Sequence, residues 1–533
     1  MTQLTRHAVS RDRIVLAAIA AAGLLVGPSL SQAALKPYTG GDGTLWSSNG
    51  SWSSGIPTSG ADSVSLRSTT TSTGSTFDLA DGFTLTGLSA GSRSLDSSDS
   101  AADHTINLNA RTLNVTGNIV VGETNGNQDF TGSLTLRNGT MSQSNGALDI
   151  GIDTTGNTGI DGVGSLTAGA DLVFNTNNLT RLRVGWRTGS SGSAVGTLDL
   201  SAASGTLNVA GGTDNIQIGV RRDGGSNSGF TSGVVTLGNG WTSTTLGSSS
   251  VRADMGVAYR VSNNEGITGS FTQSGGTFTA HLGYLYVGQT FAGDTPTVTG
   301  TVSLTGATSN IDVNTLRIAT QNNNHTGTVT VGTGDVLVNT AAIIGGGTKG
   351  TLNLNRTDFA VGSGATLTLG TTGEINSTIG SVSAGIDIAN TATSALVVNA
   401  SATIASNRGI EITFQENPID ADWVATAAEA NGIFYGLKWA GDKVNTLKAL
   451  LGTNQLNGGT LDGDRLQWYD SALTGQFAGK VSIFYDGTGP GTLGTDATYI
   501  GFYVDVIPEP GCLALLAAGG LTMLPIRGRH RPA

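Results

Sequence analysis

The sequence predicts an all-β fold: a parallel β-helix or solenoid carrying a small C-terminal α+β or β-rich unit. Three observations point there. A two-part phrase recurs along the chain, its apolar residues alternate with period two, and glycine is abundant where charge is scarce. The phrase reads apolar–x–apolar–Gly, then a polar gap, then Gly–small–apolar–x–apolar. Leu182-Arg183-Val184-Gly185 is answered by Gly196-Thr197-Leu198-Asp199-Leu200, and Ile216-Gln217-Ile218-Gly219 by Gly233-Val234-Val235-Thr236-Leu237. Leu285-Tyr286-Val287-Gly288 precedes Gly300-Thr301-Val302-Ser303-Leu304, with related copies at Ile150-Gly151, Leu316-Arg317-Ile318-Ala319 and Ile343-Ile344-Gly345. Repetition at a period of roughly 30 residues is the signature of a solenoid or array.

Period-two alternation makes each half of the phrase a strand with one buried face. Helical spacing is not sustained anywhere in the repeats, and each interior glycine would cost a helix about 1 kcal/mol. Gly, Asn and Asp between strands supply the corners at which a coil turns. A single coil cannot bury its apolar face alone, so coils stack. The expected form is a right-handed parallel β-helix, and an antiparallel β-sandwich array is the alternative. Val184, Ile218 and Val287, each directly before its glycine, are expected to share one core. Arg183 and Gln217 fall between the apolar positions and are expected to face outward.

In chain order, residues 1–33 read as a secretory signal peptide. Arg6, Arg11 and Arg13 form its basic start, Ile14 to Val26 its apolar stretch, and Ser31-Gln32-Ala33 its small-residue cleavage site after Ala33. The apolar stretch is shorter than the ~20 residues a membrane span needs. Residues 34–104 are read as an N-terminal cap with the first strands. Trp46 and Trp52, followed by Gly55-Ile56-Pro57 and Asp62, look like the opening of many exported bacterial β-solenoids, autotransporter passengers among them. Two large rings can cover the open end of a first coil, and the terminal position favours that role over stacking on a carbohydrate.

Residues 105–405 are assigned to the solenoid. Arg181, Arg183, Arg187, Arg221 and Arg222 sit near its two clearest repeats. As a basic stripe they suggest an acidic polysaccharide ligand, but the simpler expectation is solvated outer faces of consecutive coils. From about Ser406 the composition shifts, with aromatics and four of the six lysines concentrated before Asp505. Residues 406–506 are read as a globular closing unit, with helices at 422–431 and 442–451 started by Asp422 and Asp442. Asp420, Asp422, Asp462, Asp464 and Asp470 lack the twelve-residue loop of a calcium site and are read as turn and cap residues.

Residues 507–533 form a tripartite tail. Pro508-Glu509-Pro510 precedes an apolar run from Cys512 to Ile526, and Arg527, Arg529 and Arg531 follow as a basic stop. This arrangement resembles the PEP-CTERM sorting signal. The resemblance implies an exosortase-like membrane protease as partner, transient membrane association through the tail, and a destination in the cell envelope, at the cell surface or in the extracellular matrix. Cys512 and the interrupting Gly519, Gly520 and Pro525 depart from the pattern.

Composition narrows the function. Glycine makes up 81 of 533 residues, charged residues only 12%, and the formal net charge is −11. So acidic a surface repels phosphate backbones, which excludes nucleic acid as a partner. Cys512 is the one cysteine, so the body holds no disulfide. Outside the two ends only His104, His281 and His325 remain, far apart and without zinc-ligand spacing. Neither a metal nor a cofactor is expected. Lyase chemistry needs a Lys or Arg base beside acidic groups, and glycosidases need paired carboxylates about 5–10 Å apart. No two carboxylates recur at matching positions of adjacent repeats, and lysine is almost confined to the closing unit. The sequence therefore predicts no catalytic residues. It favours a noncatalytic exported scaffold or adhesin that engages extracellular polysaccharide, with a β-helical polysaccharide lyase or hydrolase as the alternative. Nothing after Val506 suits the membrane barrel of an autotransporter.

Overall fold

The computed structural model describes residues 34–379, short segments excepted, and seven strands between 396 and 504. Ala33, the sorting residues Pro508, Glu509 and Pro510, Cys512 and the basic stop Arg527, Arg529 and Arg531 lie outside the described residues. So do the stretches 422–431 and 442–451 and the five aspartates weighed for calcium.

Each coil of the repeat contributes three strands, one more than the phrase reveals. In one coil these are Arg181–Arg187, Ala194–Leu200 and Ser204–Val209. In the next they are Gly212–Arg221, Thr231–Leu237 and Trp241–Leu246. All three pairings are parallel, aligning Val184 with Ile218, Leu198 with Val235, and Leu207 with Thr244. We call the stack containing Val184 the corner face and the stack containing Leu198 the glycine face. Strands around Gly151, Gly185 and Gly219 stack one above another as the repeat predicts, with Ile150 on Val184 and Val184 on Ile218.

Inward residues from all coils merge into one apolar core running from Tyr38 to Ile375, which includes Val184, Ile218 and Val287. Long runs of Leu, Val and Ile, each stacked on its like in the next coil, bury apolar surface at about 25 cal/mol per Å². With no disulfide in the described residues, this stacking carries the fold.

The two glycines of the phrase serve one purpose, close passage of backbones. Gly122, Gly151, Gly185 and Gly219 end their corner strands with φ between +59° and +64°, a region costly for any residue bearing a Cβ. A Cβ at Gly185 would stand 1.8 Å from the Ser232 carbonyl oxygen. Across the bend, a Cβ at Gly196 would stand 2.3 Å from the Gly185 nitrogen. The corner and glycine faces therefore touch through bare backbone. The apparent double period between Gly219 and Gly288 hides a coil, because Met255-Gly256-Val257 aligns with Ile216-Gln217-Ile218 and Ala258 takes the bend at φ +49°. Its methyl packs with Ile267 and Val298.

Parallel pairing already begins at Ala34–Tyr38, which aligns with Asp62–Leu66 and so builds coils within the segment read as a cap. The phrase is already present there as Leu88-Ser89-Ala90-Gly91, whose glycine bends at φ +58° and aligns Ala90 with Val121. Trp46 and Trp52 are buried with Tyr38, Phe77 and His104 at the start of the core. Their indole N–H groups donate to Ser75 Oγ and to the Trp46 carbonyl. At the other end, Ile410–Phe414 and Leu466–Tyr469 extend the parallel stack. Ile433–Trp439 pairs parallel with Leu396–Val398 on one side and antiparallel with Tyr499–Val504 on the other, and Val481–Phe484 pairs antiparallel with Tyr499–Val504.

Candidate functional site

The bend in the corner face creates two outward columns that meet across it. Before the bend, register aligns Asp149, Arg183, Gln217, Gly256, Tyr286 and Arg317. After it come Ile152, Trp186, Val220 and Tyr259. These four form an apolar cluster separate from the main core, with Tyr286 packed against it. The Arg183 guanidinium lies 3.7 Å above the centre of the Trp186 ring, and the rings of Tyr259 and Tyr286 are 5.5 Å apart. Outward side chains on both sides of the bend touch, so the two columns form one packed strip across coils, which we call the groove.

Tyr284 and Tyr286, two positions apart on one strand, both point outward. Their rings stack at 4.2 Å and 15°, with the Arg317 guanidinium 5.5 Å from the Tyr286 ring centre. Asp214 organises the margin of the groove. It pairs with Arg222 and accepts the Tyr284 hydroxyl, and its backbone N–H donates to Asp254 at 3.2 Å. Burial, reinforced by the charge of Asp214, raises the Asp254 pKa above the ordinary carboxylate value. Burial also pushes the Tyr259 hydroxyl up to about 12 and raises that of Tyr284. Arg183 is lowered to about 10 by burial, against the attraction of Asp149.

A second polar node lies further along the solenoid. Asp312 accepts from Arg252 at 2.8 Å, from Asn339 at 2.5 Å and from His281 at 3.2 Å. Burial raises its carboxyl, but these three donors together hold it below the ordinary value. Among the described residues no three His, Cys, Asp or Glu side chains gather to hold a metal ion.

The expectation of a solvated arginine stripe needs correction. Arg187 is fully buried and pairs at 3.3 Å with Asp153, which is equally buried, and Arg221 is also buried. Arg181 is committed to Asp149, with its Nη2 2.5 Å from Oδ2. Gln217 does face away from the core, yet it is only 1% exposed. Alternation fixes which face a residue takes but not what covers it, and the bend folds neighbouring side chains over this column. Proximity of Asp214 and Asp254 escaped the sequence for another reason. A register shift between Gly212 and Ile216 places them together at unmatched repeat positions.

Fold and groove together define a three-faced parallel β-solenoid with an aromatic and guanidinium-lined groove along one edge. No family model, curated protein or solved structure matches the chain.

Proposed function

We propose that this protein is an exported, noncatalytic cell-surface or extracellular-matrix protein, an adhesin or exopolysaccharide-associated scaffold sorted by an exosortase-like system. The observation that carries the binding part is the groove. Flat tyrosine and tryptophan faces beside guanidinium groups, repeated over successive coils, suit a chain of sugar rings better than one small molecule. A rigid rod multiplies weak contacts through multivalency. The address rests on the signal peptide and the tripartite tail.

The lyase or hydrolase alternative draws on one observation, the raised Asp254 carboxyl beside Asp214. One experiment separates the two readings. The purified protein is incubated with a panel of bacterial and algal polysaccharides, with and without calcium, and both retention and new chain ends are measured. Retention of a polymer without new reducing or unsaturated ends supports the scaffold. Release of ends that Asp254→Asn abolishes makes the protein an enzyme.

A further inference from the structure

We propose that the part of the groove between Arg183 and Tyr286 is a subsite for a uronate, the carboxylate-bearing unit of an acidic polysaccharide. The proposal deepens the polymer-binding reading above and rests on it. Its starting point is Gln217, which is 1% exposed and whose amide oxygen and nitrogen both lack a hydrogen-bond partner among the described residues. Unpaired buried amides are rare, because each such group carries a desolvation cost of about 1–3 kcal/mol. Nor is it alone. The Trp186 Nε1 and the Arg183 Nε, flanking it in the same groove, also lack partners among the described residues. Three polar groups left unsatisfied under the side chains that cover this column would gain hydrogen bonds from a ligand that displaces that cover.

The charge of that ligand follows from Arg183. Its neighbours are spoken for: Arg181 by Asp149, Arg222 by Asp214 and Arg252 by Asp312. Arg183 instead lies flat on Trp186, which orients its planar fork without neutralising it. A guanidinium held this way presents parallel N–H donors matched to a carboxylate. Among the described residues Arg183 has no ion-pair partner, and its half-buried guanidinium favours an anionic group locally, against the overall net charge of −11.

Shape agrees. Gly256 interrupts the column between Gln217 and Tyr286, leaving two strand spacings, about 9–10 Å, between them. Tyr259 fills the interruption, its Cβ, Cδ1 and Cγ lying 3.1–3.4 Å from where a Gly256 Cβ would stand. A pyranose ring lying over this strip would meet the exposed faces of Tyr286 and Arg183.

The test uses the whole purified protein, polygalacturonate as the probe, and the same polymer with its carboxyls reduced to alcohols. Wild type is expected to retain the acid polymer and to bind the reduced one about tenfold more weakly, the loss of a charge-assisted pair. Arg183→Gln should bring acid-polymer binding down to the level of the reduced polymer. Gln217→Leu should weaken binding while raising the melting temperature, because it removes an unsatisfied buried amide. A purely structural glutamine would show a lower melting temperature and unchanged binding. Equal affinity of wild type for both polymers, or full binding by Arg183→Gln, overturns the uronate subsite and leaves polymer binding standing. Failure of wild type to retain any polymer in the wider panel overturns both.

Discussion

At Gly185 the chain turns through φ +63° while passing the Ser232 carbonyl at a distance no side chain tolerates. Gly185→Ala combines a left-handed alanine, at about 1–2 kcal/mol, with a steric clash. We expect a total loss of several kcal/mol, seen as a fall in melting temperature well beyond that of an alanine placed at exposed Gly41. His104 supplies a pH dependence. Burial against Tyr38 and the Ser75 hydroxyl lowers its pKa from 6.5 to about 4, with Asp103 opposing weakly. Its neutral form is therefore favoured in the folded state, so its contribution is complete above about pH 6.5 and is lost as pH falls towards 4. The full loss is on the order of 3 kcal/mol. His104→Gln should shrink the difference in denaturation midpoint between about pH 7 and pH 4, and an unchanged difference would refute the assignment. At this scale the core was plain from alternation: Val184, Ile218 and Val287 sit where period two puts them. The cover over Gln217 and the burial of Arg187 were not, because both depend on what a neighbouring coil lays across them.

Strands and coils were partly legible. The phrase exposes two of three strands per coil because those two carry glycines where the backbones touch. The third, such as Ser204–Val209, has a close-approach glycine of its own, Gly205, but at the strand start and outside the recurring phrase. Ala258 hid a whole coil by standing where glycine is usual. Since each coil contacts mainly its neighbours, a coil should be removable. Val184 aligns with Ile218, so deleting residues 185–218 joins Val184 to Gly219 and restores the corner strand in register. The shortened protein should keep its β-sheet circular dichroism and a cooperative melt at a lower temperature. Loss of cooperative folding would show that coils are not equivalent units.

For the whole molecule, the proposed route of export makes its own prediction. Mass spectrometry of the protein taken from the envelope of its native host should find no peptide covering Arg527 to Ala533, and recovery of the intact tail would remove the sorting reading. On the proposed function, the solenoid is a rod that holds a polymer along the edge where the corner face bends. That edge was legible only as a cluster of arginines, since its tyrosines come together through the bend and the register of coils 30 or more residues apart. Hydroxyl-radical footprinting with and without polygalacturonate tests the account most directly. Tyr284 and Tyr286 are half-buried, while Phe230, 43% exposed and in neither column, is an internal control. The account predicts that polymer slows oxidation of both tyrosines and leaves Phe230 unchanged. Equal oxidation of the tyrosines in both samples, or equal protection of Phe230, would contradict it.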